Sequence, residues 1–169
     1  MPSIVALAGS PSTESRTVAL LRHIASRLDR HDVEVIPIRA LPADALLGAD
    51  ANDPAVGEAV KKVADADGLI VASPVYKAAY SGVLKTFLDL LPASALAGKA
   101  VLPILTGGAP VHALALDYAL RPVLTALGAR HVLTGLFLID KQIERTPDGV
   151  VLAPDVQAKV DAAVAELVP

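Results

Sequence analysis

Apolar residues along this chain fall into short runs separated by longer amphipathic stretches. Ser3–Leu7, Val33–Ile38, Leu69–Ala72, Val101–Leu105 and Val132–Leu138 are β-branched or apolar, and most are continuous rather than alternating. A strand covered on both faces reads this way, because neither side of its pleat meets water. Between the runs, helical periodicity predicts helices near Ser15–Asp29, Pro54–Ala66, Ser81–Leu91 and Val111–Gly128, with a last one over Pro154–Leu167. Pro92 and Gly128 supply the stops of the third and fourth.

Five strand–helix units predict an α/β fold, a doubly wound five-stranded parallel sheet. The flavodoxin-like order 2-1-3-4-5 is the natural one for this count, and its ligand crevice lies beyond the carboxyl ends of the strands. The length of 169 residues fits one domain, 1–169, with an ample core. No apolar run reaches the ~18 residues of a membrane span, and no basic region precedes the first apolar segment as in a signal peptide. Zero cysteines exclude disulfides and thiolate chemistry and suit the cytoplasm. A net charge of −3 argues against non-specific nucleic-acid binding.

The crevice rule directs attention to the loops after strands 1, 3 and 4. The first reads Gly9-Ser10-Pro11-Ser12-Thr13-Glu14-Ser15-Arg16-Thr17. Hydroxyls at Ser10, Ser12, Thr13, Ser15 and Thr17, the Arg16 guanidinium and a helix N-terminus together suit a phosphate. The loop matches neither Gly-x-Gly-x-x-Gly nor the P-loop pattern, and a serine-rich turn with Ser15 as an ordinary helix cap accounts for it too. Glu14 counts against an anion unless its carboxylate turns away.

After strand 3, Ser73-Pro74-Val75-Tyr76-Lys77-Ala78-Ala79-Tyr80-Ser81-Gly82 holds two of the three tyrosines in the chain. The strand is expected to break at Ser73-Pro74 and to leave a rim for a planar ligand, bordered by Tyr76 and the backbone from Val75 to Lys77. Lys77 taken alone reads better as a solvated charge. After strand 4, Thr106, Gly107 and Gly108 let the backbone pass close to a ligand, although a plain turn explains them in isolation. The agreement of three unusual loops on one crevice is what favours a ligand site.

The fourth predicted helix has two faces. Leu116, Leu120, Val123, Leu124 and Leu127 form the stripe that covers the sheet, while Leu114, Tyr118, Pro122 and Thr125 lie opposite, where a monomer is normally polar. Pro122 has no N–H for the Tyr118 carbonyl, which predicts a kink or wide turn there, and the semi-apolar face suggests a subunit contact. His23, His31, His112 and His131 lack metal-ligand spacing, so no metal is expected, and there is no Gly-x-Ser-x-Gly elbow. Such a chain suits chemistry carried by a cofactor, with no catalytic side chain of its own.

The segment Gly68–Tyr80, continuing Ser81-Gly82-Val83-Leu84-Lys85-Thr86-Phe87-Leu88-Asp89-Leu90-Leu91-Pro92, resembles the NAD(P)H-dependent FMN reductases. Within them it is most similar to the reductase of the two-component alkanesulfonate monooxygenase system. Gly9-Ser10-Pro11 with Ser15-Arg16, Thr106-Gly107-Gly108 and Asp117-Tyr118-Ala119-Leu120-Arg121-Pro122 carry the same likeness, which fades past Gly135. The resemblance implies that Ser10, Ser15, Arg16 and Thr17 hold the FMN phosphate. It implies that Pro74, Val75, Tyr76 and Lys77 border the flavin ring, with Ser81, Thr106, Gly107 and Gly108 nearby. It further implies hydride transfer from NADPH or NADH to FMN, a homotetramer with a π-helix at Tyr118, and an FMNH2-dependent monooxygenase as partner. The family commonly has an arginine where this chain has Ser12, which implies either a lower phosphate affinity or a larger share of the phosphate on Arg16. An FMN-retaining quinone, azo-dye or chromate reductase is the alternative, and a flavodoxin-type electron carrier is a more distant one.

Overall fold

The computed structural model describes residues 2–167. In chain order the strands are β1 (Ser3–Ala8), β2 (Asp32–Pro37), β3 (Gly68–Tyr76), β4 (Ala79–Tyr80), β5 (Ala100–Gly107), β6 (His131–Val132), β7 (Leu136–Ile139), β8 (Glu144–Thr146) and β9 (Gly149–Val151). The helices are α1 (Arg16–Ala25), α2 (Ala43–Leu47), α3 (Pro54–Asp65), α4 (Gly82–Leu88), α5 (Arg121–Ala126) and α6 (Pro154–Leu167). The main sheet runs β2-β1-β3-β5, and β6 and β7 share the last position beside β5, all paired parallel. This is the flavodoxin-like 2-1-3-4-5 order with its fifth strand in two pieces.

Alternate residues of each central strand feed two cores. Val5, Leu7, Leu69, Val71, Val101 and Leu105 pack beneath α3, α4 and α5, whereas Ile4, Ala6, Ile70, Ala72, Leu102 and Ile104 meet α1 and α6. On α6 the contact comes from Val156, Val160, Val164 and Leu167, nearly one residue per turn. The helices begin where capping chemistry allows. Ser15 Oγ accepts the Val18 N–H at 3.1 Å, Ser81 Oγ accepts the Leu84 N–H at 3.1 Å, and Asp53 caps α3 ahead of Pro54.

Two prolines explain where the strands depart from expectation. The strand expected to end at Ala72 continues to Tyr76 through Pro74, which pairs with Thr106 of β5. Ala72 turns its carbonyl toward the β1 side, accepting the Gly9 N–H at 2.8 Å, and Pro74 two residues on faces the same way. By then β1 has ended at Ala8, so the missing proline N–H costs no ladder bond. Pro103 does interrupt a partner. Val101 accepts the Leu133 N–H at 2.9 Å, so Pro103 also faces the fifth strand and has no N–H to offer it. The run predicted over Val132–Leu138 therefore bulges between β6 and β7. Gly135 sits there at φ 84°, where a Cβ would lie 2.6 Å from the Pro103 carbonyl oxygen.

Arg121 spans the break from the outer side, donating from Nη1 to the Val132 carbonyl at 3.1 Å and from Nη2 to the Thr134 carbonyl at 2.9 Å. Its Nε bonds Asp117 at 2.9 Å. The single helix expected over Val111–Gly128 is divided in turn. A 3₁₀ turn spans Pro110–Ala113, a π-helical turn spans Leu116–Leu120, and α5 follows. The Arg121 N–H reaches back to the Leu116 carbonyl, the five-residue spacing of a π turn, and Pro122 lies in the first turn of α5, where no donor is needed. The expected wide turn is thus present. Leu116, Leu120 and Leu124 are buried, while Tyr118 is 80% exposed with Leu114 and Val111 beside it.

Two hairpins have no counterpart in the periodicity. One joins β3 to β4 and the other joins β8 to β9. Among the described residues no helix is long and apolar enough to cross a membrane.

Candidate functional site

The loop after β1 is fastened before it reaches any ligand. Gly9 tolerates no side chain, since a Cβ there would meet Leu84 Cβ at 2.6 Å and the Ala72 carbonyl oxygen at 3.2 Å. Ser81 Oγ donates to the Gly9 carbonyl, and the Ser81 N–H donates to Ser73 Oγ at 2.8 Å. Ser81 therefore ties the loop to α4 from below. Ser10 Oγ accepts the Ser12 N–H at 3.2 Å, and Ser12 Oγ accepts the Glu14 N–H at 3.2 Å, two successive side-chain turns that curl the loop. From outside, Arg39 Nε donates to the Pro11 carbonyl at 2.9 Å.

The end of β3 forms a tight hairpin. Tyr76 pairs with Ala79 across Lys77 and Ala78, at φ 51° and 64°. Positive φ at both turn residues is the geometry of a two-residue hairpin loop, normally built with Asn or Gly. Holding Lys and Ala there stores strain, as functional rims often do. At the end of β5, Gly107 is packed against His112, whose Nδ1 would lie 2.9 Å from a Cβ. His112 Nδ1 is buried and has no hydrogen-bond partner among the described residues.

These three ends enclose a cavity of about 230 Å³. Of the residues singled out from the sequence, Ser10, Ser15, Arg16, Thr17, Pro74, Val75, Tyr76, Thr106, Gly107 and Gly108 line it. Lys77 stands at the exposed hairpin tip and Ser81 lies beneath the loop, and neither lines it. Ser12, Glu14 and Asp140 complete the wall. Of these, Asp140 carried no signal, because only the fold brings the end of β7 there. Ser10, Thr17 and Thr106 are almost fully buried, and the Thr17 and Thr106 hydroxyls approach to 3.4 Å across the floor. Tyr76 is 48% exposed at the rim. The cavity thus has a hydroxyl-rich end at the α1 N-terminus and a flatter end of backbone and ring, with its mouth open.

The family model of the NADPH-dependent FMN reductases matches residues 2–144. The chain belongs to this family. An FMN reductase (NADPH) of Escherichia coli strain K12 is 46% identical over 163 residues, covering 95% of this chain and 85% of that protein. An FMN reductase (NADPH) of Pseudomonas putida strain KT2440 is 51% identical over 142 residues, 83% and 72% of the two chains. The solved apo form of an NADH:FMN oxidoreductase superposes with a TM-score of 0.87 at 44% identity, covering 99% of this chain and 88% of that one. As a member of the FMN reductase family the chain is an oxidoreductase, with FMN as its flavin and NAD(P)H as its hydride donor. The family model stops at Glu144, and the β8–β9 hairpin begins at that residue.

Proposed function

We propose that this FMN reductase hands reduced flavin to a two-component monooxygenase of the alkanesulfonate type, FMN being a dissociable substrate. The observation that carries the reading is the cavity itself, open at its mouth, with the half-exposed Tyr76 as the aromatic residue in its wall. The donor set fits FMN. Ser10, Ser15, Thr17 and Arg16 offer hydroxyls and a cation to a phosphate, aided by the first N–H groups of α1. Pro74, Val75 and Tyr76 would border the ring from the β3 side, and Gly107 and Gly108 would let the backbone approach it from the β5 side. Thr106 steadies Thr17 on the floor, Ser81 acts by holding Gly9, and Lys77 offers a cation at the rim.

FMN when bound supplies the hydride-accepting chemistry. The chain contributes orientation, and a fixed donor–acceptor geometry is worth orders of magnitude in effective concentration.

The same reading makes the chain a single cytoplasmic domain that works as a homotetramer. Val111, Leu114 and Tyr118 form an exposed apolar face on the 3₁₀ and π turns, and burial against other copies is what such a face favours.

Anaerobic mixing with NADPH or NADH, followed by gel filtration, tests the reading. Bleaching of the visible flavin band with loss of flavin on the column supports it. Flavin that co-elutes with the protein and passes electrons to quinone in a ping-pong cycle would favour the quinone or azo-dye reductase instead.

A further inference from the structure

We propose that Arg145 is a positioning residue for the flavin phosphate and acts through Glu14. This rests on the reading of the β1–α1 loop as the phosphate site. Arg145, on β8, donates from Nη1 to the Glu14 backbone carbonyl at 2.9 Å and from Nη2 to the Glu14 carboxylate. Glu14 lines the same cavity as Ser10, Ser15 and Thr17. An uncompensated carboxylate at that wall would repel a phosphate, and the guanidinium both neutralises it and draws it outward.

The backbone bond has a second effect. The peptide joining Glu14 to Ser15 is planar and trans, so with its carbonyl turned toward Arg145 the Ser15 N–H points to the opposite side. Arg39 holds the Pro11 carbonyl in the same manner at the other end of the loop. Two arginines from distant parts of the chain therefore take loop carbonyls outward, which clears acceptors from a site meant for an anion. The Arg145 and Glu14 side chains are 38% and 76% exposed, so their pairing adds little to stability. Its effect is to be sought in ligand selectivity. The β8–β9 hairpin thereby becomes an arm that reaches back to the phosphate loop.

The test measures dissociation constants of FMN and riboflavin by quenching of flavin fluorescence, for wild type, Arg145→Gln, Glu14→Gln and the double variant. Wild type should bind FMN more tightly than riboflavin. Arg145→Gln should weaken FMN about fivefold, the scale of one charge contact, with riboflavin unchanged and the deficit smaller at high salt. Adding Glu14→Gln should restore part of the FMN affinity, because the repelling carboxylate is then gone while the bond to the Glu14 backbone carbonyl stays lost. Equal loss for both flavins, no loss for FMN, or a double variant as weak as Arg145→Gln would overturn the proposal. If Arg145→Gln fails to fold, Glu14→Gln alone decides: FMN affinity held or raised supports it, and a selective loss contradicts it. Wild type that does not distinguish FMN from riboflavin would instead remove the phosphate reading on which the proposal stands.

Discussion

A Cβ placed on Gly9 would lie 2.6 Å from the Cβ of Leu84, so the β1–α1 loop and helix α4 touch with no room for a methyl group. The Leu84 atom is the root of its side chain and cannot swing aside. The second neighbour, the Ala72 carbonyl, belongs to the sheet. Gly9→Ala should therefore displace the loop. We expect a loss of about 1–3 kcal/mol in urea denaturation, typical of overpacking, with FMN affinity reduced alongside it. An alanine variant with unchanged midpoint and affinity would show that the loop yields freely.

Arg121 braces the break that Pro103 leaves in the fifth strand, from the side away from β5. Its guanidinium serves the Val132 and Thr134 carbonyls at the break between β6 and β7. Arg121→Ala should cost about 0.5–1.5 kcal/mol, the net range for hydrogen bonds whose acceptors water can reach. Hydrogen exchange should rise first in β6 and β7, and uniform exchange throughout the sheet would contradict a local role.

Acid stability should depend on Asp67. Its carboxylate accepts the Ser3 N–H at 2.8 Å and the Ser3 hydroxyl at 3.1 Å, and these bonds hold its pKa below the ordinary carboxylate value. The unfolded chain takes up that proton at higher pH than the folded one. The contribution is thus complete above the ordinary value and is lost as pH falls through the lowered one. Asp67→Asn should flatten the acid limb of a melting-temperature profile and leave the neutral limb nearly parallel to wild type. Identical acid limbs would show that Ser3 adds nothing.

The sheet was legible in the sequence because β1, β3 and β5 are buried on both faces and so read as continuous apolar runs. Most of the cavity wall was legible for a related reason, since the ends of those strands carry its residues. The β3–β4 hairpin was not, because Lys77 and Ala78 take positive φ without the Gly or Asn that announces it. The β8–β9 hairpin did leave a signal, Pro147-Asp148-Gly149 between short β-prone segments. What no local pattern holds is the meeting of Arg145 with Glu14, 131 residues away. The break in the fifth strand is of the same kind, because it is written in Pro103 on the neighbouring strand.

Tyr118 is 80% exposed at the π turn, so its removal costs the monomer little packing. Tyr118→Ala should keep the melting cooperative and shift the proposed homotetramer toward smaller species in sedimentation velocity, with altered flavin retention. A variant with wild-type mass and retention would take the π turn out of the assembly.

On the proposed reading, FMN anchored by its phosphate in the hydroxyl-rich cavity at the ends of β1, β3 and β5 takes the hydride from NAD(P)H. Anaerobic steady-state bleaching with NADPH and with NADH, compared across FMN, FAD and riboflavin, tests it most directly. We predict turnover with at least one donor and a lower KM for FMN than for riboflavin. No turnover with either donor, or equal KM values for FMN and riboflavin, would contradict it.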